Sequence, residues 1–206
     1  MSILHVHKIQ TGKVWVAANA ENFYTYNMQV YTGKTDGPRE KNKGLQIVKG
    51  MVCQTYGTRT GVTADNFLTS CELAYLSLTR NMTLVGTLRE NKSEIPALFL
   101  SGKQKEVSSS IFGFSNDLTW VSHVPARNKA VILHSSQHHD DICMGEEKDH
   151  KPVIFMHNVI KSVFDVLDQL VREWTCMRST TCWCSKLFSS FTDVAGVNSF
   201  VLWMLK

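Results

Sequence analysis

The stretch KVWVAANAENFYTYNMQVYTGK, residues 13–34, decides the fold class. Val14, Trp15 and Val16 open an apolar run that ends near Asn19. After Ala20-Glu21-Asn22, the residues Tyr24, Tyr26, Met28 and Val30 alternate with Thr25, Asn27 and Gln29. A period of two marks a half-buried strand, so the stretch reads as an antiparallel hairpin. KTDGPREKNKG (34–44) is a charged Gly/Pro loop that closes the unit.

Downstream of the hairpin the period changes. Leu45, Ile47, Val48, Met51 and Val52 follow a helical pattern that stops before Gly57. GVTADNFLTS (61–70) is a strand ending at Asp65, and Ser70 is placed to cap a helix over CELAYLSLTRN. TLVGTLRENK (83–92) is another strand. Strand, strand, helix, strand, helix, strand argues for an α/β domain with a covered sheet. The middle, about 95–152, holds short β segments and the polar loop QHHDDICMGEEKDHKP, and reads as an inserted β-rich subdomain. NVIKSVFDVLDQLVREW is an amphipathic helix whose stripe runs from Val159 to Trp174, and SSFTDVAGVNSFVLWMLK forms a second helix. The expected boundaries are therefore an N-terminal remnant at 1–12, a first core part at 13–94, the insertion at 95–152, and two closing helices at 153–206.

Composition excludes several classes. Of 206 residues, 43% are hydrophobic and 19% charged, which rules out a disordered chain. A net charge of +4 permits contact with nucleic acid without requiring it. The opening MSILHVHKIQTGK lacks the apolar core of an export signal, and no apolar run reaches the ~20 residues of a membrane helix. The six cysteines are too scattered for a disulfide scaffold or a paired zinc site, which makes reduced thiols in the cytosol or nucleus the expectation. Neither QHHDDICM, with His138, His139, Asp140, Asp141 and Cys143, nor the trio Cys176, Cys182 and Cys184 has convincing metal-ligand spacing.

Asp65 stands where strands disfavour Asp, which asks for a reason. Asp165 and Asp168 lie three apart on the predicted helix, with Arg172 four beyond Asp168. Two readings stand: a solvated helix face, or carboxylates that meet Asp65 and bind divalent cations through oxygen.

The blocks YTYNMQVYTGK, ADNFLTS, TLVGTLRENKSEIP, SSSIFGF, LTWVSHVPARNKAVILHSS, HHDD, DVLDQLVREW and DVAGVNSFVLW occur in an order that resembles the piggyBac-type transposase domain. They cover nearly all of the chain from residue 13. The resemblance implies an RNase H-like core of the DDE transposase/integrase type with a β-rich insertion before its final catalytic helix. It implies Mg²⁺-dependent DNA cleavage and strand transfer by an acidic triad, with transposon-end DNA as partner and the nucleus as location. In two-metal chemistry, ions about 3.5–4 Å apart activate the attacking oxygen and stabilise the leaving one. Carried over by motif, the second acid falls on Asp65, the third on Asp165, and a further functional acid on Asp168. Asp65 and Asp165 would be metal ligands. The first acid, expected at the end of the opening strand, falls on Asn19. An amide brings no charge to offset two divalent ions, so the expectation is an inactive derivative whose Mg²⁺ site is degraded. The family's basic run after the last acid is also thinned: CMRSTTCWCSK keeps Arg178 and Trp183 but has Thr180, Thr181 and Cys182 in place of basic residues. The family's flanking DNA-binding and Cys-rich domains have no counterpart, so a truncated copy is expected. A homodimer would then require the missing flanks. A domesticated, non-catalytic nuclear domain that binds DNA or protein is the alternative.

Overall fold

A computed structural model describes residues 3–8, 14–31, 42–100, 105–140, 143–144, 151–152 and 166–206. The strands β1 (Ile3–Lys8), β2 (Val14–Asn19), β3 (Thr25–Val30), β4 (Gly61–Ala64), β5 (Thr83–Leu88), β6 (Ser110–Phe114), β7 (Thr119–Ala126) and β8 (Lys129–Ser135) form one sheet, in the order β3-β2-β1-β4-β5-β8-β7-β6. β1, β2 and β3 run antiparallel in turn, whereas β4 is parallel to β1 and β5 to β4. This half is the RNase H-like arrangement that the resemblance implies.

The stretch set aside as a remnant, 1–12, contains β1, which lies between β2 and β4 inside the sheet. The strands β6, β7 and β8, within 95–152, continue the same sheet. β8 pairs with β5, from Val85↔Ser135 to Leu88↔Ile132, and β7 and β6 extend the same sheet. Among the described residues, the short pair β9 (Cys143–Met144) and β10 (Lys151–Pro152) forms a second, two-stranded sheet.

All six residues of β2 are buried, so this strand is covered on both faces. Its alternation sorts them. Trp15 and Ala17 join Val6, Val62, Ala64 and Leu84 under the helices α1 (Lys43–Val52) and α2 (Cys71–Thr79). Val14, Val16 and Ala18 pack on the other face against Leu167 and Val171 of α3, described over 166–173, and Val194, Val197 and Val201 of α4 (Trp183–Met204). Ser70 caps α2 as its position predicts, accepting a hydrogen bond from Leu73 N at 3.2 Å.

The closing helices depart from the pattern in two respects. Trp174, counted in the apolar stripe, falls just past the end of α3 and is 77% exposed. α4 starts at Trp183, earlier than the apolar pattern suggested. The upstream stripe residues Val159, Ile160, Val163 and Phe164 lie outside the described residues. No described helix is long and apolar enough to cross a membrane.

Candidate functional site

Asp65 follows β4 directly, and the turn after it is built on this side chain. Its Oδ1 accepts hydrogen bonds from Phe67 N (2.9 Å) and Leu68 N (3.0 Å). Its backbone carbonyl accepts from Leu68 N, Thr69 N and Thr69 Oγ1. An Asp that satisfies the backbone of its own turn is the residue type such a turn selects. The N-terminus of α1 presses on the same turn at Gly44, where a Cβ would lie 2.8 Å from the Phe67 carbonyl oxygen. That close approach brings Lys43 to the rim.

Asp65 lines a cavity of about 350 Å³ together with Trp15, Tyr31, Lys43, Phe67 and Arg89. Trp15 and Phe67 stack at 5.7 Å with their planes 10° apart, and the Arg89 guanidinium lies 5.2 Å from the Phe67 ring centre. Arg89 Nε also donates to Asn66 Oδ1 at 3.2 Å. Lys43 Nζ stands 4.7 Å from the Tyr31 ring centre. The cavity thus holds one acid beside two cations that rest on aromatic faces.

A two-metal centre needs several carboxylates converging on a small volume. Among the described residues, Asp65 is the one acid lining this cavity, and no group of three His, Cys, Asp or Glu side chains is placed to hold a metal ion. The described donor set therefore does not fit a pair of divalent ions.

Asn19 and Asp65 stand at different ends of the sheet. β2 runs antiparallel to β1, pairing Trp15 with Lys8 and Asn19 with Leu4. Trp15 is at the Asp65 end of the sheet, so Asn19, four residues along, lies about 13 Å away at ~3.3 Å per residue. There its Oδ1 accepts from Glu21 N at 2.7 Å, closing the turn into β3. Asn19 is a strand-ending turn residue. The strand that does flank β4 is β1, paired in parallel up to Val6↔Ala64. Its sequence, Ile3-Leu4-His5-Val6-His7-Lys8, contains no acid.

Asp168 sits on α3 next to the buried Leu167 and is itself only 8% exposed, so the solvated-face reading does not hold for it. Arg172 Nε reaches the Asp168 backbone carbonyl at 3.4 Å. Asp165, expected as the third acid, lies outside the described residues.

Two polar anchors on α4 escaped the sequence reading. Asp193, 8% exposed, accepts from Thr175 Oγ1 (2.6 Å) and Cys176 N (2.7 Å), tying the segment after α3 to α4. Asn198 clasps the backbone of Thr25, with Oδ1 accepting from N at 2.8 Å and Nδ2 donating to O at 3.0 Å. Their signal was available: Asp193 and Asn198 flank the apolar pair Val194 and Val197, and polar residues beside such positions invite the question of what satisfies them. Cys71 and His134, 4.0 Å apart, resemble a nucleophile and base but are driven the wrong way. Burial, with help from Glu94, pushes the Cys71 thiol up to about 12, and burial drops His134 to about 4. Both stay neutral and inert near pH 7.

Comparison with known proteins agrees with the topology. The family model described as transposase IS4 matches residues 5–200. No curated protein sequence matches the chain. A piggyBac transposase, seen by cryo-EM in a synaptic complex with hairpin DNA, is similar in structure with a TM-score of 0.84 and 28% sequence identity. The similarity covers 98% of this chain and 47% of that one, so the chain spans about half the length of that transposase. With the family match and the structural similarity in agreement, the chain belongs to the IS4 transposase family and is a piggyBac-type transposase domain.

Proposed function

We propose that this transposase-derived domain no longer cuts or joins DNA and serves as a non-catalytic nuclear domain that binds DNA through the surface around Asp65. One observation carries the reading: β1, the parallel neighbour of β4, contains no Asp or Glu. An acid able to share an ion with Asp65 would have to project from a neighbouring element at the same end of the sheet. From β5 that end offers Arg89, and from α1 it offers Lys43. Cations beside the one carboxylate among the described residues there oppose a divalent ion and favour phosphate, whose contacts supply a large share of the affinity in DNA binding.

The test is Mn²⁺ titration by calorimetry together with a plasmid-nicking assay in Mg²⁺ and in Mn²⁺. We expect no ordered ion and no nicking. Metal-dependent nicking that Asp65→Ala abolishes would overturn the loss of catalysis. Asn19→Asp, at the far end of the sheet, should create no Mn²⁺ site. Binding to a hairpin duplex should weaken steeply with salt and weaken further in Lys43→Ala and Arg89→Ala, and absence of binding at low salt would defeat the DNA-binding part. A fluorescently tagged chain distributed evenly through the cell would count against the nuclear assignment.

A further inference from the structure

We propose that Cys182 and Cys184, at the start of α4, form a reversible thiol–disulfide site whose reagent is a low-molecular-weight disulfide such as glutathione disulfide. Both thiols are free and exposed, and Trp183 alone separates them in sequence. Trp183 is the first residue of α4. A helical residue in the middle sets its two neighbours about 5.4 Å apart at Cα, inside the range that a disulfide spans. The Cys184 thiol already faces the Cys182 sulfur as a hydrogen-bond donor.

The helix start gives the two thiols different roles. Cys182 is the N-cap of α4, no side-chain hydrogen bond caps the helix there, and the first turn holds no acid. The backbone N–H groups of Ser185 and Cys184 face the Cys182 sulfur and, with the Cys184 thiol, hold the Cys182 thiol below its ordinary value. Other described thiols are set against attack. Asp193 holds Cys176 up by accepting its hydrogen bond, burial pushes Cys71 up to about 12, and Cys53 donates to the Gly50 carbonyl at 3.3 Å. Cys182 is thus the attacking sulfur. Its thiolate attacks one sulfur of the reagent, the S–S bond breaks, and the departing thiolate takes up the proton that Cys182 gave away. Cys184 then loses its proton, attacks the Cys182 sulfur and expels the second thiol, which takes that proton. Two protein thiols are oxidised to one disulfide and one disulfide is reduced to two thiols, with no proton gained or lost. A ring closed across three exposed residues is reopened by excess thiol, so the site cycles.

The experiment treats the whole reduced chain with glutathione disulfide near neutral pH and reads the mass of the intact chain and of its tryptic peptides. Trypsin cuts after Arg178 and Lys186, so Cys182 and Cys184 share the peptide 179–186, which excludes Cys176. In the wild type that peptide should lose two hydrogens, keep no glutathione, and regain both thiols with dithiothreitol. Cys184→Ser should hold one glutathione on Cys182, and Cys182→Ser should leave Cys184 reacting several-fold more slowly. In urea, where the helix start is gone, the lead of Cys182 over Cys53 and Cys176 should vanish. A stable glutathione adduct on the wild type overturns the proposal, as does a wild type that does not react. So does modification that begins at Cys53 or Cys176, a disulfide joining two chains, or a lead of Cys182 that persists in urea.

Discussion

Replacing Asp193 by Ala isolates what ties the segment after α3 to α4. The carboxylate accepts two hydrogen bonds, from Thr175 Oγ1 at 2.6 Å and Cys176 N at 2.7 Å, and is nearly buried. Bonds to a charged group contribute about 1.5–3 kcal/mol each, but Thr175 and Cys176 are exposed enough for water to replace part of the loss. A destabilisation of about 2–4 kcal/mol follows, or roughly 4–15 °C in Tm for a chain of this length. The cost should be shared with Thr175, so a double-mutant cycle with Thr175→Val should show a coupling of about 1 kcal/mol. Asp193 also holds the Cys176 thiol above its ordinary range, chiefly by accepting its hydrogen bond. In the native Asp193→Ala protein, Cys176 should therefore react faster with a disulfide reagent at mildly alkaline pH. The assay is thermal unfolding of the four proteins in the cycle, with timed thiol labelling. Additive losses in the cycle, or a melting point within a degree of the wild type, would refute the anchoring role.

Further outcomes follow from other sites. The folded chain keeps His134 neutral down to about pH 4, while the unfolded chain protonates it near 6.5. Between those values the unfolded state binds the extra proton, so this contribution is complete above about pH 6.5 and is lost as pH falls, by about 3 kcal/mol in all. Denaturant unfolding from pH 7 to 4 should show that slope in the wild type and a shallower one in His134→Met; equal slopes would remove His134 as the cause. Gly86→Ala would drive a Cβ into Thr69 Oγ1 and to 2.9 Å from the Ala64 carbonyl oxygen. Thr69 is held by its bond to the Asp65 carbonyl, so it cannot swing away freely, and a loss of about 1–3 kcal/mol is expected by urea unfolding. A neutral result would mean that the Asp65 turn is looser than its hydrogen bonds imply. Ser70→Ala removes the cap of α2 and should cost about 1 kcal/mol in the same assay.

Local patterns carried much of the architecture. The alternation over Tyr24–Val30, the apolar spacing of Ile47, Val48, Met51 and Val52, and the Ser70 cap each report a choice made within a few residues, and all three stand in the structure. β1 was missed because Ile3-Leu4-His5-Val6-His7-Lys8 mixes apolar and basic residues and has no local signal of a central strand. Its place comes from pairing with residues 15–19 on one side and 61–64 on the other. The β6–β8 strands were recognised but not their attachment, since the bond between β5 and β8 joins residues about fifty apart.

The sequence by itself determined the family and the α/β class, because ordered blocks and short-range periodicity are written along the chain. Only the tertiary structure decided which end of the sheet each residue occupies. Asn19 and Asp65 both close strands in the same half of the sheet, yet β2 runs opposite to β4, so the two strand ends point away from each other. Strand direction is a property of pairing between distant segments, and no local spacing encodes it.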